Sequence, residues 1–395
     1  MSPRTVLVTG DGSAAVAAAT ALHSAKQGRR TLLLAADDPH RAVDDLLDTR
    51  LTAEPAPYRD APGRLAVARI DEQDALRSAL DHLGGRLAPA LDLLGAEPLD
   101  AEELTPLPGI RQFALLRALR SGTAGADTVV VAAPPPAELL ALLALPEQLE
   151  RYLSRLVPEQ RQAARALRPL LAAVAGVPMP ADWLFEARGA ASAALAEARA
   201  AVEAPGTSVR LVLDADAHGD GGLGRIRAGL ALYGRRLDAV VVHRALPAAA
   251  AASPDPWLAA RAARQQERLA QLAAGLDGVP LLVAPWPEVA LEEVADALYA
   301  DGEPAPGPAP EPRVEDRLAE DGLLIWHLAL PGADRSGLEL VRRGDELVVG
   351  TGAYRRILAL PAALRRCTVS GAGLAGGVLS VRFAPDPALW PSPRS

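Results

Sequence analysis

Residues 5–17 read TVLVTGDGSAAVA, and this stretch decides the fold. A run of residues typical of a buried strand leads into a loop with two glycines, and an Ala-rich helix follows. Many α/β proteins bind a nucleotide phosphate in such a loop, because the N-terminus of the helix offers free N–H groups to an anion. No lysine or arginine lies in this loop. The sequence therefore predicts the architecture of a phosphate site without its usual cation.

Further short apolar runs continue the pattern of strands, and helical stretches separate most of them. They cover residues 30–35, 65–70, 128–133, 209–214, 238–243 and 280–285. This alternation predicts the α/β class, with a doubly wound, mostly parallel sheet. Ligands of such sheets bind at the C-terminal ends of the strands. We therefore expect the first loop, residues 36–40, 132–136 and 243–244 to lie at one edge.

The composition divides the chain into domains. Residues 1–300 form the predicted α/β domain, and their almost wholly helical part, 137–204, is expected to be a subdomain over the ligand edge. A Pro-rich linker follows over 301–312, because so many prolines exclude a helix or a central strand. Short alternating runs over 313–384 predict a small all-β sandwich. The last residues, 385–395, are expected to form a flexible tail.

Charge and cysteine content exclude several functions. The net charge is −8, which makes the chain a poor general ligand for nucleic acids or anionic membranes. Cys367 is the only cysteine, so one chain cannot form a disulfide or a multi-Cys zinc site. No apolar run reaches the roughly 18 residues of a membrane span. We therefore expect a soluble, cytoplasmic protein without a transmembrane segment.

Several segments resemble the motifs of one protein family, and they follow one another in the same order along the chain. They are GDGSAAVAA (10–18), DDPH (37–40), PGIRQ (108–112), AAPPPAELLALLALP (132–146) and HR (243–244). In the same order, the ArsA/guided-entry ATPase family has a deviant Walker A loop G-K-G-G-V-G-K-T-T, then D-P-A-H, P-G-x-x-E, a switch II segment and a strand ending in N-R. The chain resembles this family over roughly residues 4–300. SGAGLAGGVLSVRF (370–383) is similar to the A-x-x-x-x-G-V-L run of alpha-crystallin-like small heat-shock domains, which some family members carry at the C-terminus.

The resemblance implies a nucleotide site in which key residues are replaced. Val16 stands where the family has the phosphate-binding lysine, Ala17 stands at the metal-binding threonine, and Asp11 replaces the second lysine. Transfer of a phosphoryl group needs this positive charge and the bridging Mg²⁺. A carboxylate about 4 Å from a phosphate charge costs about 4 kcal/mol at an effective dielectric constant of about 20. We therefore interpret the site as vestigial, with neither cofactor nor metal expected; it comprises Gly10, Asp11, Gly12, Ser13, Ala14, Ala15, Val16, Ala17, His243 and Arg244.

Some side chains keep two interpretations. Asp37 corresponds to the aspartate that activates water in the family, or, together with Asp38, caps the following helix. His243 stacks on a base, or is a strand-end histidine bonded to backbone. DADAHGD (214–220) has the spacing of hard-metal ligands, but Arg225 stands where an EF-hand loop needs an acid, which favours a solvated loop.

The leading hypothesis is a family member that does not hydrolyse ATP and acts as a dimeric protein-binding or chaperone-like scaffold. The homodimer is implied by the resemblance, and an apolar protein client would bind the Leu-rich helices of 137–204 and the β-sandwich. The alternative is an active ATPase with an atypical loop that uses ATP, Mg²⁺ and Asp37. In a third hypothesis, the apolar helices of 137–204 contribute only to the hydrophobic core.

Overall fold

The computed structural model describes residues 3–36, 38–61, 63–78, 80–81, 103, 105, 107–121, 125–156, 182–215, 221–285 and 290–390. The chain divides into two compact units. The first comprises Met1–Thr5, Ala17–Pro134 and Ala141–Thr207, and the second comprises Val6–Val16, Pro135–Leu140 and Ser208–Ser395. The candidate phosphate loop belongs to the second unit, together with Ser208–Ser395.

An eight-stranded sheet forms the centre of the α/β part. Its strands are β1 (Arg4–Gly10), β2 (Thr31–Ala35), β3 (Ala56–Pro57), β4 (Leu65–Arg69), β5 (Thr128–Ala132), β6 (Thr207–Asp214), β7 (Leu237–Ala245) and β8 (Leu281–Pro285). Their order is β3-β4-β2-β5-β1-β6-β7-β8. β2 pairs in parallel with β4 and β5, and β7 pairs in parallel with β6 and β8, whereas β3 is antiparallel to β4. The predicted, mostly parallel sheet is confirmed.

The burial of the strands explains why apolar runs in the sequence identify them. Every residue of β2 and β5 is buried, as expected when helices cover both faces of a parallel sheet. The connecting helices are α1 (Ser13–Lys26), α2 (Ala42–Leu47), α3 (Ile110–Ser121), α4 (Pro136–Leu156), α5 (Asp182–Glu203), α6 (Gly221–Leu232), α7 (Pro256–Gly275) and α8 (Leu291–Leu298). α4 and α5 belong to the expected helical subdomain, of which residues 157–181 lie outside the described part of the chain.

Two small antiparallel sheets form the C-terminal sandwich, as predicted. One has the order β14-β15-β10-β9 and the other the order β11-β12-β13. The strands are β9 (Arg313–Arg317), β10 (Leu323–Ala329), β11 (Leu338–Arg343), β12 (Glu346–Thr351), β13 (Tyr354–Ala359), β14 (Cys367–Ala375) and β15 (Val378–Pro385). Alternate residues of β10, namely Leu324, Trp326 and Leu328, enter the sandwich core, and Trp390 packs against it. Residues 391–395 of the expected tail lie outside the described residues.

Over the described residues, no helix is both long enough and apolar enough to cross a lipid bilayer.

Candidate functional site

The loop between β1 and α1 depends on two glycines with left-handed backbone conformations. Gly10 has φ +110° and Gly12 has φ +81°. A Cβ atom on Gly10 would lie 2.0 Å from the carbonyl oxygen of Val212, so the loop passes too close to β6 for any side chain. The glycines recognised in the sequence are therefore required by the path of the chain, whether or not the loop binds a ligand.

The imidazole ring of His243 lies directly over Gly12. A Cβ atom on Gly12 would lie 2.3 Å from Cδ2, 2.7 Å from Cγ and 2.8 Å from Nε2 of the ring. His243 is only 7% exposed, and its Nδ1 is buried without a hydrogen-bond partner among the described residues. The sequence favoured a histidine bonded to backbone. Instead, the ring packs against the candidate phosphate loop.

Burial also determines the charge of this histidine. It lowers the pKa of His243, and the positive charge of Arg244 lowers it further, whereas Asp214 and Asp11 act in the opposite direction. The net shift is downward from the ordinary value of 6.5. The ring is therefore neutral at pH 7 and adds no positive charge to the loop.

The charged groups described around the loop are an exposed aspartate and a half-exposed arginine. Arg244 is in the left-handed region at φ +61°, and its Nη1 lies 3.6 Å from Oδ2 of Asp214. Its side chain is 53% exposed. Asp11 is exposed, whereas Val16 and Ala17 in the first turns of α1 are fully buried. The structure thus brings together Asp11, Gly12, His243 and Arg244 from two strand ends.

The DDPH segment lies in the first unit, where Asp38 caps α2. Its Oδ1 accepts a hydrogen bond from the N–H of Ala42 at 2.7 Å, and its Oδ2 accepts one from the N–H of Val43 at 2.9 Å. Asp38 is therefore a helix cap, the role that the sequence assigned jointly to Asp37 and Asp38 as one alternative. Asp37 itself lies outside the described residues, and His40 is exposed.

Arg69 fixes this segment from the end of β4. Its Nη1 donates to the carbonyl oxygen of Asp38 at 2.8 Å, and its Nη2 contacts the carboxylates of Asp38 and Asp44. Burial acts to raise the pKa of Asp44, but the hydrogen bond and charge of Arg69 outweigh it, so the pKa lies below its usual value. The sequence analysis missed this residue, although a basic residue ending the apolar run LAVAR was the available signal.

No group of three or more metal-ligating His, Cys, Asp or Glu side chains occurs in the described part of the chain. Residues 216–220 of the candidate metal loop lie outside it.

Matches to known protein families cover both the α/β part and the C-terminal sandwich of the chain. Residues 4–295 match the family described as anion-transporting ATPase, and residues 321–383 match the HSP20-like domain found in ArsA. An uncharacterised protein of Streptomyces coelicolor is 46% identical over 398 residues, covering 99% of this chain and 100% of that protein. A protein of Mycobacterium tuberculosis is 30% identical and covers 97% of this chain and 96% of its own length. A Chlorobaculum tepidum protein, provisionally named an arsenical pump-driving ATPase, is 27% identical over 90% of this chain and 89% of its own length.

Proposed function

The chain belongs to the anion-transporting ATPase family, and from this premise we propose that it is a member that does not hydrolyse ATP. It acts instead as a dimeric, protein-binding or chaperone-like scaffold. The family ATPases use ATP and Mg²⁺, so the proposal requires that this chain has lost the groups that hold them. The C-terminal sandwich is the HSP20-like domain found in ArsA proteins.

The observation that carries the proposal is the position of His243. Its buried ring packs on Gly12, in the loop that by the family resemblance would bind the phosphates. Because the ring is neutral at pH 7, it fills this space without supplying charge. A triphosphate that used the backbone of Gly12 would have to displace this packed side chain.

The charges around the loop support the same conclusion. By the family resemblance, Val16 and Ala17 replace the lysine and the threonine that hold the phosphates and Mg²⁺, and both side chains are buried. Asp11 adds an exposed negative charge. Lys26, the only lysine of the chain, stands at the far end of α1, about 15 Å away at about 1.5 Å per residue. Neither Asp11 nor Lys26 compensates the negative charge of ATP.

Exposed apolar side chains on α4 support the protein-binding part of the proposal. Leu149, Tyr152 and Leu156 are 39%, 60% and 77% exposed, and their spacing of three and four residues places them along one side of the helix. Leu139, Leu140, Leu142 and Leu143 at the other end of α4 are buried. The core interpretation therefore fits the first half of α4, and a client or partner surface fits its second half.

A second candidate function is an active ATPase with an atypical loop. Arg244 favours it, because this half-exposed guanidinium lies at the end of β7 next to His243 and has a long contact of 3.6 Å with Asp214. An arginine that turned from Asp214 towards the loop would supply the missing cation. Asp37 would then activate the attacking water, as the resemblance implies.

Release of phosphate from ATP and Mg²⁺ separates these functions. We expect no release above background from the full chain. The Asp37→Asn variant is the matched control, because a working family ATPase would lose activity with this substitution while a contaminating ATPase would not. Turnover that disappears in Asp37→Asn would reject the proposal. Sedimentation velocity tests the dimer, and a single species with the mass of one chain would reject that part.

A client-aggregation assay tests the surface on α4. We expect the chain to suppress aggregation of a model client, and Tyr152→Ser with Leu156→Ser to reduce this suppression. Leu389→Ser is the matched control, because Leu389 is also apolar and 59% exposed but lies after β15. Equal effects of the two sets of substitutions would contradict the proposed surface.

A further inference from the structure

The four-stranded sheet of the sandwich carries three hydrogen-bonded polar side chains on its outer face. Nε2 of His327 lies 2.7 Å from Oε2 of Glu315, and Nδ1 of the same ring lies 3.0 Å from Oγ of Ser380. Both distances are normal for hydrogen bonds. The side chain of His327 is 14% exposed and that of Glu315 is 46% exposed. A serine, a histidine and a carboxylate are therefore joined at a surface that a ligand can reach.

The pairing of three strands fixes this arrangement. His327 of β10 lies opposite Ser380 of β15, and Glu315 of β9 lies opposite Ile325, two residues before His327. The residues on either side of His327 enter the sandwich core, so His327 itself points to the outer face. Because β9, β10 and β15 hold one another in register, the three side chains are positioned by the sheet and not by a loop.

The carboxylate of Glu315 determines which nitrogen of the ring carries the hydrogen. A carboxylate accepts hydrogen bonds and cannot donate them, so Nε2 of the neutral ring donates to Glu315. Nδ1 then has a lone pair and accepts the hydrogen bond of the Ser380 hydroxyl. A serine activated by a histidine that a third group orients is the pattern of nucleophilic catalysis. Relative to the serine-protease arrangement, the two ring nitrogens have exchanged positions while both roles are kept.

The surface beside Ser380 is open, and an arginine lies next to it. Gly373 of β14 lies opposite Ser380, and no atom lies within 4 Å of the position that its Cβ atom would take. Arg382 is exposed, and its Nη2 lies 3.3 Å from the position of a Cβ atom on Gly371. Arg382 is two residues from Ser380 on the same face of β15, about 7 Å along the strand. Its guanidinium therefore offers N–H donors beside the serine hydroxyl.

We propose that Ser380, His327 and Glu315 form an acyl-transfer site that hydrolyses carboxylic esters. Ser380 and His327 are the catalytic residues, and Glu315 is a positioning residue that orients the ring. Arg382 donates hydrogen bonds to the negatively charged oxygen of the tetrahedral intermediate. The two glycines of β14 offer little apolar surface, which limits the acyl group to a short one.

The reaction proceeds in two balanced steps. Oγ of Ser380 attacks the carbonyl carbon while its proton passes to Nδ1 of His327. The bond from that carbon to the alcohol oxygen then breaks, and His327 gives the proton to the departing alcohol. Water attacks the acyl group on Ser380 in the same way, with its proton passing through His327 to the serine oxygen, and the carboxylic acid is released.

Hydrolysis of p-nitrophenyl acetate by the full chain tests the activity. The full chain is used because the sandwich packs directly on α6, where a Cβ atom on Gly224 would lie 2.9 Å from the carbonyl oxygen of Gly332. Ser380→Ala and His327→Gln should each lower the rate above background at least about 100-fold. Ser370→Ala, the same change at an exposed serine of β14, should leave it unchanged. Equal rates for the wild type and Ser380→Ala would overturn the proposal.

Covalent labelling of the unmodified chain tests the site without relying on a variant. A fluorophosphonate probe reacts with an activated serine, because a bond forms between Oγ and phosphorus while fluoride leaves. We expect one label per chain, located on Ser380 by mass spectrometry of peptides. Absence of labelling, or labels spread evenly over the exposed serines, would refute the assignment.

Two variants of Glu315 separate positioning from a purely structural role. The amide of Glu315→Gln can donate to Nε2, which lets the ring hold its hydrogen on Nδ1, where it no longer accepts from Ser380. We expect kcat to fall with KM unchanged, and Glu315→Asp to retain more activity because it keeps the carboxylate. Circular dichroism checks that each variant is folded. Equal loss of activity in the two folded variants would contradict the positioning role of Glu315.

Discussion

Substitution of Gly12 by alanine tests the contact on which the proposed loss of ATP hydrolysis depends. The structure gives this change two costs. Gly12 has φ +81°, where an L-residue is strained, and the new Cβ atom would lie 2.3 Å from Cδ2 of His243. The second cost exists only if the imidazole ring is packed over the loop. The ring is 7% exposed, so it cannot move away without displacing its neighbours.

The expected magnitude follows from these two costs. Left-handed backbone costs roughly 1–2 kcal/mol for a residue with a Cβ atom. Overpacking of a well-packed site costs roughly 1–3 kcal/mol more. Gly12→Ala should therefore lower the free energy of unfolding by about 2–5 kcal/mol. Gly28→Ala is the matched control, because Gly28 has φ +84° and no atom lies within 4 Å of the position that its Cβ atom would take. The control should show the backbone cost alone.

A double-mutant cycle with His243→Ala isolates the contact. Urea unfolding of the wild type, Gly12→Ala, His243→Ala and the double variant gives the interaction free energy between the two positions. We expect Gly12→Ala to become about 1–3 kcal/mol less harmful once the ring is removed. If the two changes add within about 0.5 kcal/mol, and Gly12→Ala resembles Gly28→Ala, then the ring does not occupy the loop and the reasoning fails.

Three further results are expected. Asp238→Ala should cost about 3–5 kcal/mol in urea unfolding, because it removes the buried carboxylate that pairs with the Arg210 guanidinium. Asp277→Ala should cost less than about 1 kcal/mol, because the carboxylate of Asp277 is 76% exposed. The pKa of His243 is lowered in the folded state, so the unfolded chain binds the proton of this histidine more readily, and the free energy of unfolding should fall as the pH drops below about 6.5. His243→Gln should reduce this pH dependence, and an unchanged pH dependence would contradict the prediction. Gly224→Val should release the sandwich from α6 and accelerate proteolysis of the linker, whereas Gly222→Val, on the same helix with nothing within 4 Å, should not.

Much of the fold could be predicted from sequence because its strands are buried on both faces. Continuous apolar runs such as those of β1 and β5 are visible without any knowledge of the fold. RVEDR of β9 gives little strand signal of its own, because it is charged and almost wholly exposed, as is common for an edge strand. β3 was missed because it has only two residues, one of them proline.

The sequence identifies the residues of the candidate site, but it does not indicate their contacts. No local pattern indicates that the ring of His243 lies on Gly12, since 230 positions separate them and only the pairing of strands brings them together. The network around Arg69 has the same origin, because it joins β4 to the segment before α2. Asp38 is the exception: an aspartate shortly before a helix is a local signal, and it does cap α2.

Calorimetric titration of the full chain with ATP and Mg²⁺ tests the central claim most directly. With a neutral, buried histidine over the loop and no lysine in it, we expect no saturable heat up to millimolar nucleotide. Saturable binding with a micromolar dissociation constant, abolished when Arg244 is changed to glutamine, would contradict the account and establish that this arginine supplies the missing charge.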